Sequence, residues 1–172
     1  MGKKVAVVVT NLFEDSEFTS PKEALTNAGH EIITIENKEG NQVVGAKEQA
    51  TIIIDKGIDD VSPEDFDALL IPGGFSPDQL RADERFLTFV KGFVQAKKPI
   101  FAICHGPQLL INAKLVKGKK MTSVKQVSVD LINAGALYED SEVVKDDSGL
   151  ITSRTPKDLP AFNKAIVDAL SK

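Results

Sequence analysis

Residues 99–111 read PIFAICHGPQLLI. Pro99 to Ile103 is an apolar run of strand length, and GPQLLINA (106–113) has the composition of a helix. Between them stands Cys104, so the stretch reads as strand, tight turn, helix. Ala102 and Gly106 put small residues two positions either side of the cysteine. A sharp strand-to-helix turn needs such neighbours, because the residue at its tip sits on strained backbone. The turn holds the only cysteine of 172 residues and His105, one of only two histidines.

The same alternation runs outward from this unit. VAVVV (5–9) is β-branched and uninterrupted, as expected of a strand covered on both faces. Pro21, Ala24, Leu25 and Ala28 mark one face of a helix closed by Gly29. EIITIE (31–36) is the next strand, and 41–57 suggests a short hairpin or excursion. Ser62 and Pro63 cap a turn before the strand DALLI (67–71). Phe86, Phe89, Val90, Phe93 and Val94 form a helical stripe. VSVDLINAG (127–135) looks helical, SEVVKD and GLITS form a strand pair around Asp147–Gly149, and Leu159, Phe162, Ile166 and Leu170 face one side of a last helix. Neither repeats nor a linker interrupt the chain, which reads as one domain over residues 1–172. The expected fold is α/β, an open and mainly parallel sheet.

Composition narrows the function classes. Hydrophobic residues make up 42% and charged residues 27%, which fits a folded water-soluble domain. No apolar run approaches the ~20 residues of a membrane span. The net charge of −4 argues against nucleic acid as the main partner, because phosphate binding needs a basic face. A lone cysteine forms no internal disulfide, so a reducing, cytoplasmic location is expected. One cysteine and two histidines have no paired metal-ligand spacing, and neither a metal nor a cofactor is called for.

In open parallel sheets ligands bind beyond the carboxyl ends of the strands. Three such ends carry chemistry here: TNLFEDSEF, IPGGFSPD and CHGPQ. Cys104 is the candidate nucleophile. A free thiol has a pKa of about 8.5, and a fall to roughly 6 needs about 3 kcal/mol of differential stabilisation. A helix start supplies about 1 kcal/mol, so a further contribution is required. His105 is the obvious source, although neighbouring side chains at a turn often diverge. The Gly74 and His105 amides make a candidate oxyanion hole. Glu14 is the candidate acid, although its residue type and position alone fit a solvated loop acid alongside Asp15 and Glu17 better. If it reaches the sulfur it must be protonated, because a carboxylate there would oppose the thiolate. His30 reads as a surface residue without a role. Phe75, Pro77 and Leu80, beside the site, read either as exposed apolar residues of an interface or as locally packed ones.

FEDSE, DALLIPGGFSPD, AICHGPQLLI, INAG and TSRTPKDLPAF, in this order over nearly the whole chain, closely resemble the PfpI/ThiJ superfamily. The best match is its small single-domain branch of intracellular peptidase-like and general stress proteins. The resemblance implies a flavodoxin-like three-layer sandwich that works as a homodimer, in some members as a hexamer. It implies Cys104 as nucleophile, His105 as its following histidine and Glu14 as the acid bonded to the thiol. Asp78 matches an acid that reaches the histidine of a neighbouring subunit; peptidase-type members have glutamate there, one methylene longer. Arg154 matches a recurrent arginine with a structural or substrate-orienting role.

Activities across that superfamily include peptidase, glyoxalase, repair of early glycation adducts, chaperone action and oxidant sensing. The first expectation is a cysteine-dependent stress enzyme acting on reactive dicarbonyls or their protein adducts. The alternatives are an intracellular cysteine peptidase and a non-catalytic oxidant sensor or chaperone-like protein. A class I glutamine amidotransferase is excluded, since it needs a His-x-Glu pair downstream and no histidine follows His105.

Overall fold

The computed structural model describes residues 2–171. Its first strand, β1 (Lys4–Val8), leads to α1 (Asp15–Asn27) and β2 (Glu31–Glu36). A hairpin of β3 (Gln42–Val44) and β4 (Thr51–Ile53) follows, then β5 (Lys56–Gly57) and β6 (Ala68–Ile71). Next come α2 (Ser76–Leu80), α3 (Glu84–Gln95), β7 (Ile100–Ile103) and α4 (Pro107–Asn112). The chain ends through β8 (Lys120–Met121), α5 (Lys125–Asn133), β9 (Leu137–Tyr138), β10 (Val144–Lys145), β11 (Leu150–Ser153) and α6 (Leu159–Leu170).

Seven strands form the main sheet in the order β10-β11-β7-β6-β1-β2-β5. All its pairings are parallel except the terminal hairpin of β10 and β11. The expected mainly parallel α/β sheet is therefore present. Every residue of β6, β7 and β11 is buried, as is all of β1 beyond Lys4, which is what strands covered on both faces require. The chain steps from β1 to β2 in one direction, and from β6 to β7 to β11 in the other. Right-handed crossovers then place α1 on one face and α3 and α4 on the opposite one. α6 packs on α1, while α2, α3 and α5 all meet α4.

The order reverses between β1 and β6, so the loops after these two strands diverge from neighbouring ends and leave a crevice. Backbone stitches hold the crevice in shape: Glu14 N–H donates to Gly73 O at 3.2 Å and Phe75 N–H to Leu12 O at 2.8 Å. Phe13 anchors the first loop by packing edge-on against Phe18, ring centres 5.8 Å apart. β7 lies next to β6, which brings Cys104 to the same end of the sheet.

Two expectations at the periphery are decided by burial. Residues 76–80 form a short helix that buries Ser76, Pro77 and Leu80, so of the two readings of the apolar residues there, local packing holds for Pro77 and Leu80 and only Phe75 is exposed. His30 is buried, not on the surface, and its Nδ1 accepts the Lys3 amide at 3.0 Å. No helix among the described residues is long and apolar enough to cross a membrane.

Candidate active site

Cys104 sits at the end of β7 with φ 62°, in the left-handed region that non-glycine residues rarely adopt. Its backbone is pinned on both sides: its N–H donates to Ser153 O at 3.0 Å, and its carbonyl accepts from Val124 N–H at 3.1 Å. Neighbouring elements therefore hold the tip of the turn in a conformation that costs about 1–2 kcal/mol. The amides of Gly74 and His105 both reach the sulfur, and both favour its anionic form. The side chains of Cys104 and His105 do not diverge: Sγ lies 3.3 Å from Nδ1 of His105.

The two glycines after β6 are there for space and for conformation. A Cβ on Gly73 would fall on the Glu17 carboxyl and 2.9 Å from the Cβ of Cys104. Gly74 has φ 76° and lies 2.6 Å from Leu12 O at the place where a Cβ would stand. Only glycine lets this loop touch both the first loop and the thiol.

The acid facing the thiol is Glu17. It lies in the first turn of α1 with no exposed surface, and its carboxyl is within hydrogen-bonding reach of Cys104. Oε1 accepts the Gly73 amide at 2.9 Å, while Oε2 is buried without a nitrogen or oxygen partner. Burial raises the Glu17 pKa to about 8, against the opposing pull of the Gly73 amide and the thiol. At neutral pH this carboxyl is mostly protonated. Burial also pushes the Cys104 thiol up, and the nearby Glu17 charge adds to that push. The expectation of a thiol simply depressed by its surroundings is thus corrected: the two acids compete for one negative charge.

Glu14, expected in this role, stands elsewhere. α1 begins at Asp15, so Glu14 is the extended residue before the helix (φ −73°, ψ 113°). Its Oε1 pairs with Lys47 Nζ at 2.8 Å, at the rim. Asp15 ties the same helix start to the loop between β3 and β4 by accepting the amides of Lys47, Gln49 and Ala50. Burial alone would raise Asp15; those amides outweigh it and hold the carboxylate below its usual range.

Burial lowers the His105 pKa, and the charge of Asp78 in the same chain partly opposes this. The imidazole is neutral at physiological pH and able to move a proton. Asp78 itself contacts Arg81, Oδ1 to Nη1 at 3.5 Å. Arg154 is held by the buried Asp158 through Nε at 2.9 Å and by the exposed Asp140 through Nη1 at 2.9 Å. These bonds brace the segment after β11, whose Ser153 carbonyl holds the amide of Cys104.

The chain that places a strained cysteine under two amides, a buried acid against its sulfur and a histidine beside it, next to the switch point of a parallel sheet, has clear relatives. A model of the DJ-1/PfpI family matches residues 3–169. The chain belongs to the DJ-1/PfpI family. It is 58% identical over 164 residues to protein/nucleic acid deglycase 2 of Escherichia coli strain K12, which covers 95% of each chain. Identity to general stress protein 18 of Bacillus subtilis strain 168 is 57% over 172 residues, covering all of both chains. Among solved structures, a two-domain Anabaena variabilis protein with DJ-1/ThiJ/PfpI-like and ferritin-like domains superposes with a TM-score of 0.95 at 37% identity, over 98% of this chain and 48% of that one. The resemblance read from the motifs thus holds, and so does the flavodoxin-like sandwich of the DJ-1/PfpI fold.

The sequence reading missed Glu17, although a signal for it exists. Pro21 and Leu25 lie on the buried face of α1, and stepping that face back by four residues arrives at Glu17.

Proposed function

We propose that the protein is a cysteine-dependent stress-response enzyme acting on reactive dicarbonyls or early glycation adducts. The observation that carries this reading is the buried Glu17 carboxyl against Cys104, beneath the amides of Gly74 and His105. An acid that stays protonated at neutral pH can donate its proton toward sulfur, and the same amides favour a thiolate. The 58% identity to a protein named a deglycase supports the substrate class.

The thiolate adds to an aldehyde carbon, forming a C–S bond while the carbonyl π electrons move to oxygen. The amides' hydrogen bonds stabilise the oxyanion, which takes up the Glu17 proton to give a hemithioacetal. Neutral His105 then carries the proton of the former aldehyde carbon to the neighbouring carbon, while the hemithioacetal hydroxyl proton passes through Glu17 to the neighbouring oxygen, so that a dicarbonyl adduct becomes a thioester of a hydroxy acid. Water cleaves the thioester, releases the acid and restores the thiol. No external electron donor is required. The reading includes a cytoplasmic protein that self-associates as a homodimer.

A panel of methylglyoxal, a glycated amino acid and a fluorogenic peptide tests the reading. Turnover of either of the first two by the wild type, lost in Cys104→Ser, is expected. Turnover of the peptide alone would replace this reading by a peptidase, and no turnover at all by a non-catalytic sensor.

A further inference from the structure

A second concave site lies at the other end of the sheet. β7 and β11 run parallel, Leu150 beside Ile100 and Ser153 beside Ile103. Their last residues border Cys104; their first residues, roughly 10 Å away along the strands, line a cleft of about 650 Å³. Ile100, Leu110 and Leu150, all buried, form its floor, and the half-buried Val94 and Leu115 form its walls. Its volume and apolar lining are those of a small-molecule site.

The polar part of the lining is unevenly charged. Lys97, Lys98 and Lys119 line the cleft against a single carboxylate, Asp147, in a chain whose net charge is −4. Lys98 Nζ donates to Pro63 O at 2.9 Å, which fixes the ammonium without neutralising it. Asp146, near Lys119, keeps its charge while its oxygens are taken by the amides of Lys120 and Ser148, each at 2.9 Å, so three ammoniums face two carboxylates and the balance stays positive. An apolar floor under a lysine-rich mouth complements a molecule with a hydrocarbon body and one anionic end. An inorganic anion would gain nothing from the floor, and a neutral lipid nothing from the lysines.

We propose that this cleft binds a small aliphatic carboxylate, its chain over Ile100, Leu115 and Leu150 and its head between Lys97 and Lys119. The site is independent of the cysteine chemistry.

Decanoate, below its micellar concentration, is the probe, titrated into the full chain and followed by calorimetry and by amide NMR shifts. Saturable binding with shifts at 94–100 and 147–150 is expected, and decanol should bind at least about fivefold more weakly. Lys97→Glu with Lys119→Glu should weaken decanoate at least about tenfold, while Cys104→Ser should bind it as wild type does. The absence of saturation, equal affinity for decanol, indifference to charge reversal, or shifts confined to the Cys104 end would each overturn the proposal. So would sizing and cross-linking data showing that a second copy of the chain covers this face.

Discussion

Glu17 and Cys104 lie against each other out of water, and burial drives both toward their protonated forms. Their titrations are therefore coupled, and the first proton lost belongs to the pair. Loss from carboxyl or thiol gives the same net charge. The amides of Gly74 and His105 favour charge on sulfur, and the Gly73 amide favours charge on the carboxylate. With Glu17 protonated, the sulfur gains a third donor. Glu17→Gln keeps a donor and should lower kcat/KM by about tenfold. Glu17→Ala leaves the thiolate one donor short and should lower it by about 10² or more. Thiolate absorbance should rise at a higher pH in Glu17→Ala than in Glu17→Gln. Equal activity in the two variants and the wild type would remove the carboxyl from the chemistry.

The same raised pKa makes stability depend on pH, with a sign opposite to that of a salt-bridged carboxylate. Between the ordinary value of 4.5 and about 8, the unfolded chain has released the Glu17 proton while the folded chain retains it. The folded state binds more protons there, so stability falls as pH rises through that window, by up to about 5 kcal/mol. His105 works the other way. Its lowered pKa means that the unfolded chain takes up the extra proton, so its contribution grows as pH rises through its usual range. Urea unfolding at several pH values, wild type against Glu17→Gln, isolates the carboxyl. The wild-type curve should fall more steeply from pH 5 to 8 than the variant's, and parallel curves would contradict the assignment.

Glu14 provides the contrast. Its partner Lys47 is exposed at the rim, and such ion pairs contribute little. Glu14→Gln should keep kcat/KM within about threefold of wild type. One secondary effect is expected. The Glu14 charge helps raise the Glu17 pKa, so removing it should move the pair's titration slightly downward. A loss of activity as large as that of Glu17→Ala would return the acid role to Glu14.

Asp78 acts on His105 from the same chain and opposes the lowering that burial imposes. Asp78→Asn should therefore lower the imidazole pKa further, read by NMR titration of its ring protons. The difference should shrink at high salt, because Asp78 is partly exposed. It should also persist on dilution. An effect present only in concentrated samples would instead mean that the carboxylate reaches His105 from a neighbouring copy.

Much of this architecture can be read from one-dimensional patterns, for identifiable reasons. Val5–Val9 and Ile100–Ile103 announce buried parallel strands because neither alternates. Cys104 announces a nucleophile turn because its small neighbours are required by sterics. Glu17 is harder to read, since Glu14, Asp15 and Glu17 crowd one helix start and the choice among them depends on which residue begins the helix. A shift of one residue there rotates the face by about 100°. Pro77 and Leu80 were equally ambiguous: a helix of five residues is too short to show a periodic face, so only tertiary contact with α4 reveals their burial.

The left-handed backbone at Cys104 yields the last prediction. A side chain at φ 62° costs about 1–2 kcal/mol that glycine does not incur. Comparing Cys104→Ala with Cys104→Gly removes the thiol from both and leaves the backbone as the variable. At an ordinary buried position, alanine would be favoured through its methyl group by about 0.8 kcal/mol and through lower unfolded-state entropy by roughly as much again. Here the relief of strain roughly offsets both, so Cys104→Gly should be about as stable as Cys104→Ala in thermal and denaturant melts. Both should be inactive. Cys104→Gly less stable than Cys104→Ala by about 1 kcal/mol or more would mean that the turn stores no strain, and that its conformation is set by the loop and not held against the preference of the residue at its tip.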